Sequence, residues 1–206
     1  MPEAKLRRYK AIVLGVSTGG VGTLKALLGA LPKDFPLPLL IVQHISPDSG
    51  DQMAVFLDEF CAIHVKEADE QERPVGGTVY LAPANYHLMV EPDGRLGLSM
   101  DPPVNYSRPS VDVLFETAAQ AFGERLIGVV LTGAGYDGSL GLKRIKDKGG
   151  VAVVQAPCDA AADSMPKHAM MAVTPDHVVT LSPCRSYLST FQKSEQICQV
   201  TIKSPC

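Results

Sequence analysis

Three side chains of the types that make up a nucleophilic relay each follow an apolar run in this 206-residue sequence. They are Ser17, His44 and Asp137. A serine hydroxyl is a poor nucleophile at neutral pH, so it needs a neutral histidine to take its proton and a carboxylate to fix the tautomer of that histidine. A hydroxyl, an imidazole and a carboxylate that met in the fold could therefore perform acyl transfer.

Two short glycine-rich segments accompany the serine and the aspartate. In such segments few side chains block the backbone, so N–H groups can face the oxyanion that develops during acyl transfer. The segments predict an oxyanion and substrate loop made of Thr18, Gly19, Gly20, Gly133, Ala134 and Gly135. Thr18 is also expected to cap the helix that follows it, because threonine side chains accept from free N–H groups at helix starts.

The turn around Ser17 permits other interpretations. Gly15-Val16-Ser17-Thr18-Gly19 fits the G-x-S-x-G elbow of α/β-hydrolases, but it comes too early in the chain, and His44 precedes the acid. A dinucleotide loop needs glycine at position 17, and a P-loop needs lysine followed by serine or threonine after Gly20. The spacing favours a triad, while a nucleotide site or a purely structural loop stays open.

The elements that must position these residues alternate between strand and helix patterns. Strands are predicted at Ala11–Val16, Leu37–Gln43, Ile63–Val65, Thr78–Leu81, Leu126–Leu131, Val151–Val154 and His177–Leu181. Helices are predicted at Gly20–Leu31, Asp51–Phe60, Pro109–Phe122, Asp137–Lys148 and Met165–Ala172. Tyr86–Val90 and Leu96–Ser99 flank Pro92-Asp93-Gly94 and predict an antiparallel hairpin.

This alternation predicts an α/β fold with a doubly wound, mainly parallel sheet and helices on both faces. In such sheets, ligands bind beyond the carboxyl ends of the strands, where the strand order reverses. The first strand is then central, with the second on one side of it and later strands on the other. Ser17, His44 and Asp137 are therefore predicted to share one edge of the sheet.

Composition narrows the class of protein. The chain is 46% hydrophobic and 20% charged with a net charge of −3, which argues against a disordered chain or a nucleic-acid binder. No apolar stretch approaches the roughly 18 residues of a membrane helix, and no signal peptide is evident. The five cysteines form no C-x-x-C pair, so free thiols of a cytoplasmic protein are expected, with no metal site and no cofactor. We divide the chain into an N-terminal segment (1–10), a catalytic domain (11–182) and a C-terminal tail or last helix (183–206).

The chain resembles the catalytic domain of the bacterial chemotaxis protein-glutamate methylesterase. The stretches that carry the resemblance are GVSTGG, IVQHISP, VYLAPANYHLMV, SRPSVDVLFETAA, GVVLTGAGYDGSLGLKRIKDKGG and QAPCDAAADSMPKHAM, in this order. The resemblance implies that Ser17 is the nucleophile, His44 the general base and Asp137 the orienting acid. The implied substrates are glutamyl γ-methyl esters, and particular glutamines, on the cytoplasmic helical bundle of a chemoreceptor.

The family carries a receiver domain before this region, and only ten residues precede the first strand here, so a separate receiver protein is a further candidate partner. Ala134 stands where the family commonly has methionine, and Ser164 where glycine is expected. A non-catalytic receptor-binding relative and a nucleotide-binding α/β enzyme are the alternative functions. Outside the triad, His87 is expected to be structural, and Arg108 is expected to pair with an acid such as Asp112.

Overall fold

The computed structural model describes residues 9–45 and 52–181. The predicted C-terminal tail or helix (183–206) lies outside these residues. Seven strands form one sheet: β1 (Ala11–Val16), β2 (Leu39–Gln43), β3 (His64–Glu67), β4 (Thr78–Leu81), β7 (Leu126–Val130), β8 (Val151–Gln155) and β9 (His177–Val179). Two further strands, β5 (His87–Val90) and β6 (Leu96–Ser99), form the predicted antiparallel hairpin.

The seven-stranded sheet has the order β3-β4-β2-β1-β7-β8-β9, and all of its pairs are parallel. The order reverses at β1, which lies between β2 and β7. The register aligns Val16 with Gln43 and Gly15 with Val130, so the three strands end at the same edge. The predicted doubly wound fold is therefore confirmed, and its switch point lies beside β1.

Five helices cover the two faces of the sheet: α1 (Gly20–Leu28), α2 (Gln52–Phe60), α3 (Val111–Phe122), α4 (Ser139–Asp147) and α5 (Ser164–Ala172). Alternate β1 residues enter different cores because strand side chains alternate between faces. Leu14 packs in the core under α1 and α2, and Val13 packs in the core under α3, α4 and α5. Within the described residues, no helix is both long and apolar enough to cross a bilayer.

Within the described residues, the predicted strands and helices all exist, but their ends differ by up to three residues. The first helix ends at Leu28 and not Leu31, with Gly29 as its C-cap. The third helix begins at Val111 and not Pro109, because Ser110 has extended backbone (φ −114°, ψ 139°). Two short 3-10 turns, Gly123–Arg125 and Pro157–Asp159, were not predicted.

Candidate active site

The crevice at the carboxyl end of β1 holds a row of three hydrogen-bonded side chains. The Oγ of Ser17 lies 3.2 Å from Nδ1 of His44, and Nε2 of His44 lies 2.9 Å from Oδ2 of Asp137. A carboxylate oxygen can only accept, so Nε2 carries the imidazole hydrogen. Nδ1 is then the lone-pair nitrogen that faces the Ser17 hydroxyl. The structure thus brings together the three residues that sequence analysis selected.

Exposure falls along this row. Ser17 is half-buried, the His44 side chain is 18% exposed, and the Asp137 side chain is 4% exposed. A reactant from solvent can reach the hydroxyl, whereas the carboxylate is shielded from water. Shielding strengthens the attraction between the carboxylate and an imidazolium that forms beside it.

Asp137 is held by the start of α3. Its Oδ2 accepts from the N–H of Val111 at 2.7 Å, in addition to His44. Its Oδ1 accepts four hydrogen bonds, from Asn105 Nδ2 (2.8 Å), Ser110 Oγ (2.9 Å), Gly138 N (3.0 Å) and Asp112 N (3.1 Å). The carboxylate therefore binds N–H groups at the start of α3, a helix that precedes it in the chain.

These contacts fix the charge of Asp137. Burial acts to raise the pKa of this carboxyl, but hydrogen bonds from His44, Asn105, Val111 and the Asp112 N–H outweigh it and hold the pKa below its ordinary value of 3.8. The start of a helix also favours a negative group. The acid is therefore ionised when the relay operates near neutral pH.

A second buried carboxyl lies beside the first. Asp112 Oδ1 accepts from the Gly141 N–H at 2.7 Å, and its Oδ2 accepts from Asn105 Nδ2 at 2.7 Å. Burial raises the pKa of Asp112 to about 6, and the charge of Asp137 adds to that rise. The pair therefore contains one firmly ionised carboxylate and one that takes up a proton in mild acid.

Gln43, the last residue of β2, and Thr132, which follows β7, bind the loop that carries Ser17. Gln43 Nε2 donates to the carbonyls of Ser17 (3.1 Å) and His44 (2.9 Å). The Ser17 N–H donates to the Thr132 carbonyl at 2.9 Å, and the Thr132 hydroxyl donates to the Thr18 carbonyl at 2.9 Å. The backbones of the nucleophile and the base are therefore tied together by one glutamine.

The six loop residues fall into two groups. The N–H of Gly20 donates to the Ser17 carbonyl, and that of Gly133 to the Ala162 carbonyl, so neither is a free donor. These two glycines serve packing instead: a Cβ at Gly133 would lie 2.9 Å from the Ser17 Cβ, and one at Gly20 would lie 1.8 Å from the Gln43 Oε1. Four exposed residues have N–H groups with no hydrogen-bond partner among residues 9–45 and 52–181: Thr18, Gly19, Ala134 and Gly135.

Three other expectations can be compared with the structure. Thr18 is not the helix cap, because Gly19 occupies the cap position at φ 80° and no side chain binds there. Arg108 does not pair with Asp112; its Nη1 donates to the carbonyls of Met100 and Asp101, while Asp112 binds neutral donors. His87 is structural as expected, because it is buried and accepts from the Ser110 N–H at 3.2 Å.

A family model described as CheB methylesterase matches residues 12–188. This chain belongs to the CheB methylesterase family. It is 33% identical to the Thermotoga maritima CheB methylesterase catalytic domain, whose crystal structure superimposes with a TM-score of 0.83 over 87% of this chain and 97% of that one. A Leptospira interrogans relative, named "Putative protein-glutamate methylesterase/protein-glutamine glutaminase", is 49% identical over 84% of this chain and 90% of its own length.

Other CheB relatives are longer. The protein-glutamate methylesterase FrzG of Myxococcus xanthus is 37% identical over 84% of this chain but only 52% of its own length. The chain therefore spans about half of that relative. Membership of the CheB family favours the triad over the nucleotide-binding alternative that the sequence left open.

Sequence analysis of this CheB chain missed four side chains that hold the relay: Gln43, Asn105, Ser110 and Thr132. All four are neutral and polar, and each forms a hydrogen bond to a residue at least 26 positions away in the chain. Of the four, only Gln43 could have been recognised from the local sequence. A buried amide at the end of an otherwise apolar strand needs hydrogen-bond partners.

Proposed function

We propose that this chain hydrolyses glutamyl γ-methyl esters on the cytoplasmic domain of methylated chemoreceptors, and deamidates particular receptor glutamines, by acyl transfer through Ser17. Its place of action is then the cytoplasm. The observation that carries the proposal is the row from Ser17 through His44 to Asp137, at 3.2 and 2.9 Å, in a member of a methylesterase family. Both reactions attack the same glutamyl carbonyl carbon and differ only in the leaving group.

The first step of the reaction forms a tetrahedral intermediate on Ser17. The Oγ of Ser17 bonds to the ester carbonyl carbon while its proton passes to Nδ1 of His44, and the carbonyl electron pair moves to oxygen. Asp137 stabilises the imidazolium through Nε2. The oxyanion is stabilised by N–H groups from the four residues with free donors, Thr18, Gly19, Ala134 and Gly135, each such donor being worth about 3 kcal/mol.

The next steps form the acyl-enzyme, as methanol leaves, and then restore the free enzyme. The C–O bond to the methoxy group breaks, the methoxy oxygen takes the proton from His44, and methanol leaves. Water then loses a proton to His44 and attacks the acyl carbon, which releases the glutamate carboxylate and restores the Ser17 hydroxyl. With a glutamine substrate the leaving group is ammonia.

Methanol release from methylated receptor membranes tests the proposal. Ser17→Ala removes the nucleophile and is expected to lower kcat for methanol release by about 10⁶-fold. Ser99→Ala is the matched control, because Ser99 is half-buried like Ser17 and its hydroxyl accepts a local hydrogen bond from the Asp101 N–H. Methanol release by Ser17→Ala at the wild-type rate would contradict the proposal, as would wild-type protein that releases none.

A further inference from the structure

One neutral side chain links the two buried carboxyls of the site. The Nδ2 atom of Asn105 lies 2.7 Å from Oδ2 of Asp112 and 2.8 Å from Oδ1 of Asp137. A primary amide has two N–H hydrogens, and here each one has a carboxyl oxygen as its acceptor. Asn105 thus uses its whole donor capacity on this pair.

We propose that Asn105 is a positioning residue of the relay. The amide of Asn105 holds the Asp137 carboxylate so that Oδ2 of Asp137 faces His44 and the neighbouring Asp112 does not displace that carboxylate. This inference rests on the proposed function in that it assigns Asp137 to the relay. Asn105 does not touch the reacting atoms; it acts through Asp137. Without the amide, the carboxyls of Asp112 and Asp137 would face each other with no donor between them, and repulsion would favour rotation of Asp137.

The backbone around Asn105 is shaped to present the amide. Val104 and Ser107 exchange two backbone hydrogen bonds (3.1 and 2.9 Å), so Asn105 and Tyr106 form a two-residue hairpin turn. Both have positive φ, 52° and 62°, as a type I′ turn requires. Asparagine tolerates this conformation well, whereas tyrosine does not.

The turn is also anchored on both sides. Arg108 donates to the carbonyls of Met100 and Asp101, at 2.8 and 3.1 Å. Nε2 of His87, a buried residue, lies 3.2 Å from the Pro102 carbonyl oxygen and donates to it, because Nδ1 of His87 is an acceptor. The amide is therefore presented from a fastened loop, which is what a positioning role requires.

Two substitutions separate a donor role from a space-filling role. Asn105→Gly keeps the left-handed backbone and removes the amide; we expect kcat for methyl-ester hydrolysis to fall about tenfold, with KM within about twofold of wild type. Asn105→Asp keeps the shape but places a third carboxylate against Asp112 and Asp137, so we expect a fall of about a hundredfold. A residue that only fills space would show the opposite order, with the aspartate variant close to wild type.

Tyr106→Gly is the matched control. Tyr106 shares the turn but is 96% exposed, so its kcat is expected to equal that of wild type. Circular dichroism at the assay temperature establishes whether each variant is folded. If the Asn105→Gly variant is unfolded, the kcat of Asn105→Asp alone tests the role of Asn105. Equal kcat for wild type and Asn105→Asp, or a rise in KM with kcat unchanged, would overturn the role of Asn105.

Acylation of Ser17 by p-nitrophenyl acetate separates this inference from the proposed function, because this small activated ester needs the relay but no receptor. If both Asn105 variants slow this acylation while wild type leaves receptor methyl esters intact, the role of Asn105 is supported and the proposed function fails. If receptor methyl esters are hydrolysed equally by wild type and both Asn105 variants, the proposed function stands and the role of Asn105 is refuted.

Discussion

Replacement of Asp137 by asparagine tests the relay at its most buried member. The substitution keeps the shape of the side chain but leaves one acceptor oxygen where there were two. Because Oδ1 receives four donors and Oδ2 receives two, the asparagine oxygen is expected to take the Oδ1 place. The new NH2 group then faces His44 and the Val111 N–H.

Two costs follow from that orientation. His44 must accept from the NH2 group through Nε2, so its hydrogen moves to Nδ1, the atom that should receive the proton of Ser17. In the Ser-His-Asp triad of a serine protease, replacement of the aspartate by asparagine produces the wrong histidine tautomer and lowers kcat by about 10⁴. We expect a loss of that order here. The Val111 N–H loses its acceptor while buried, which costs about 1–3 kcal/mol in the free energy of unfolding.

The assay is methanol release from methylated receptor at saturating substrate, together with urea unfolding of the same samples. Asp147→Asn is the matched control, because Asp147 forms an exposed ion pair with Lys143 on α4. That control is expected to change stability by less than about 1 kcal/mol and to leave kcat unchanged. If Asp137→Asn keeps kcat within tenfold of wild type, His44 does not depend on this carboxylate and the reasoning is refuted.

The buried carboxyl of Asp112 and the close packing at Gly133 give two further predictions. The pKa of Asp112 is raised by burial from 3.8 to about 6, so the native state holds this proton more tightly than the unfolded chain; the contribution of Asp112 to stability therefore falls as pH rises from about 4 to about 6 and stays low above that. The Asp112→Asn variant has no carboxyl to titrate in this range. Between pH 4 and pH 7, its free energy of unfolding in urea should therefore rise by up to about 3 kcal/mol relative to that of wild type. A difference between the two proteins that stays constant with pH would contradict this. Gly133→Ala places a Cβ 2.1 Å from the Met165 Sδ and 2.9 Å from the Ser17 Cβ, so about 1–3 kcal/mol of stability and most of the activity should be lost. Gly22→Ala, in open space on α1, should be neutral or stabilising, and equal thermal melting of the two alanine variants would argue against tight packing at Gly133.

The relay could be located from the sequence because its three members follow strands that the fold arranges by a general rule. Parallel strands end at one edge, and the reversal of strand order at β1 places Ser17 between the loops of β2 and β7. The glycine-rich segments were a weaker guide. They predicted six loop donors, but Gly20 and Gly133 already donate to carbonyls within the site.

The sequence by itself determined the alternation of strands and helices, the switch point beside β1 and the family. Hydrophobic periodicity and glycine or proline boundaries act over windows of a few residues, so they can be read without knowing what packs against them. Only the tertiary structure decided which N–H groups remain free, that Asp137 binds the start of α3, and that Asn105 joins two carboxyls. Those contacts link residues up to 32 positions apart, and each depends on the distance and angle between elements, which local sequence does not encode.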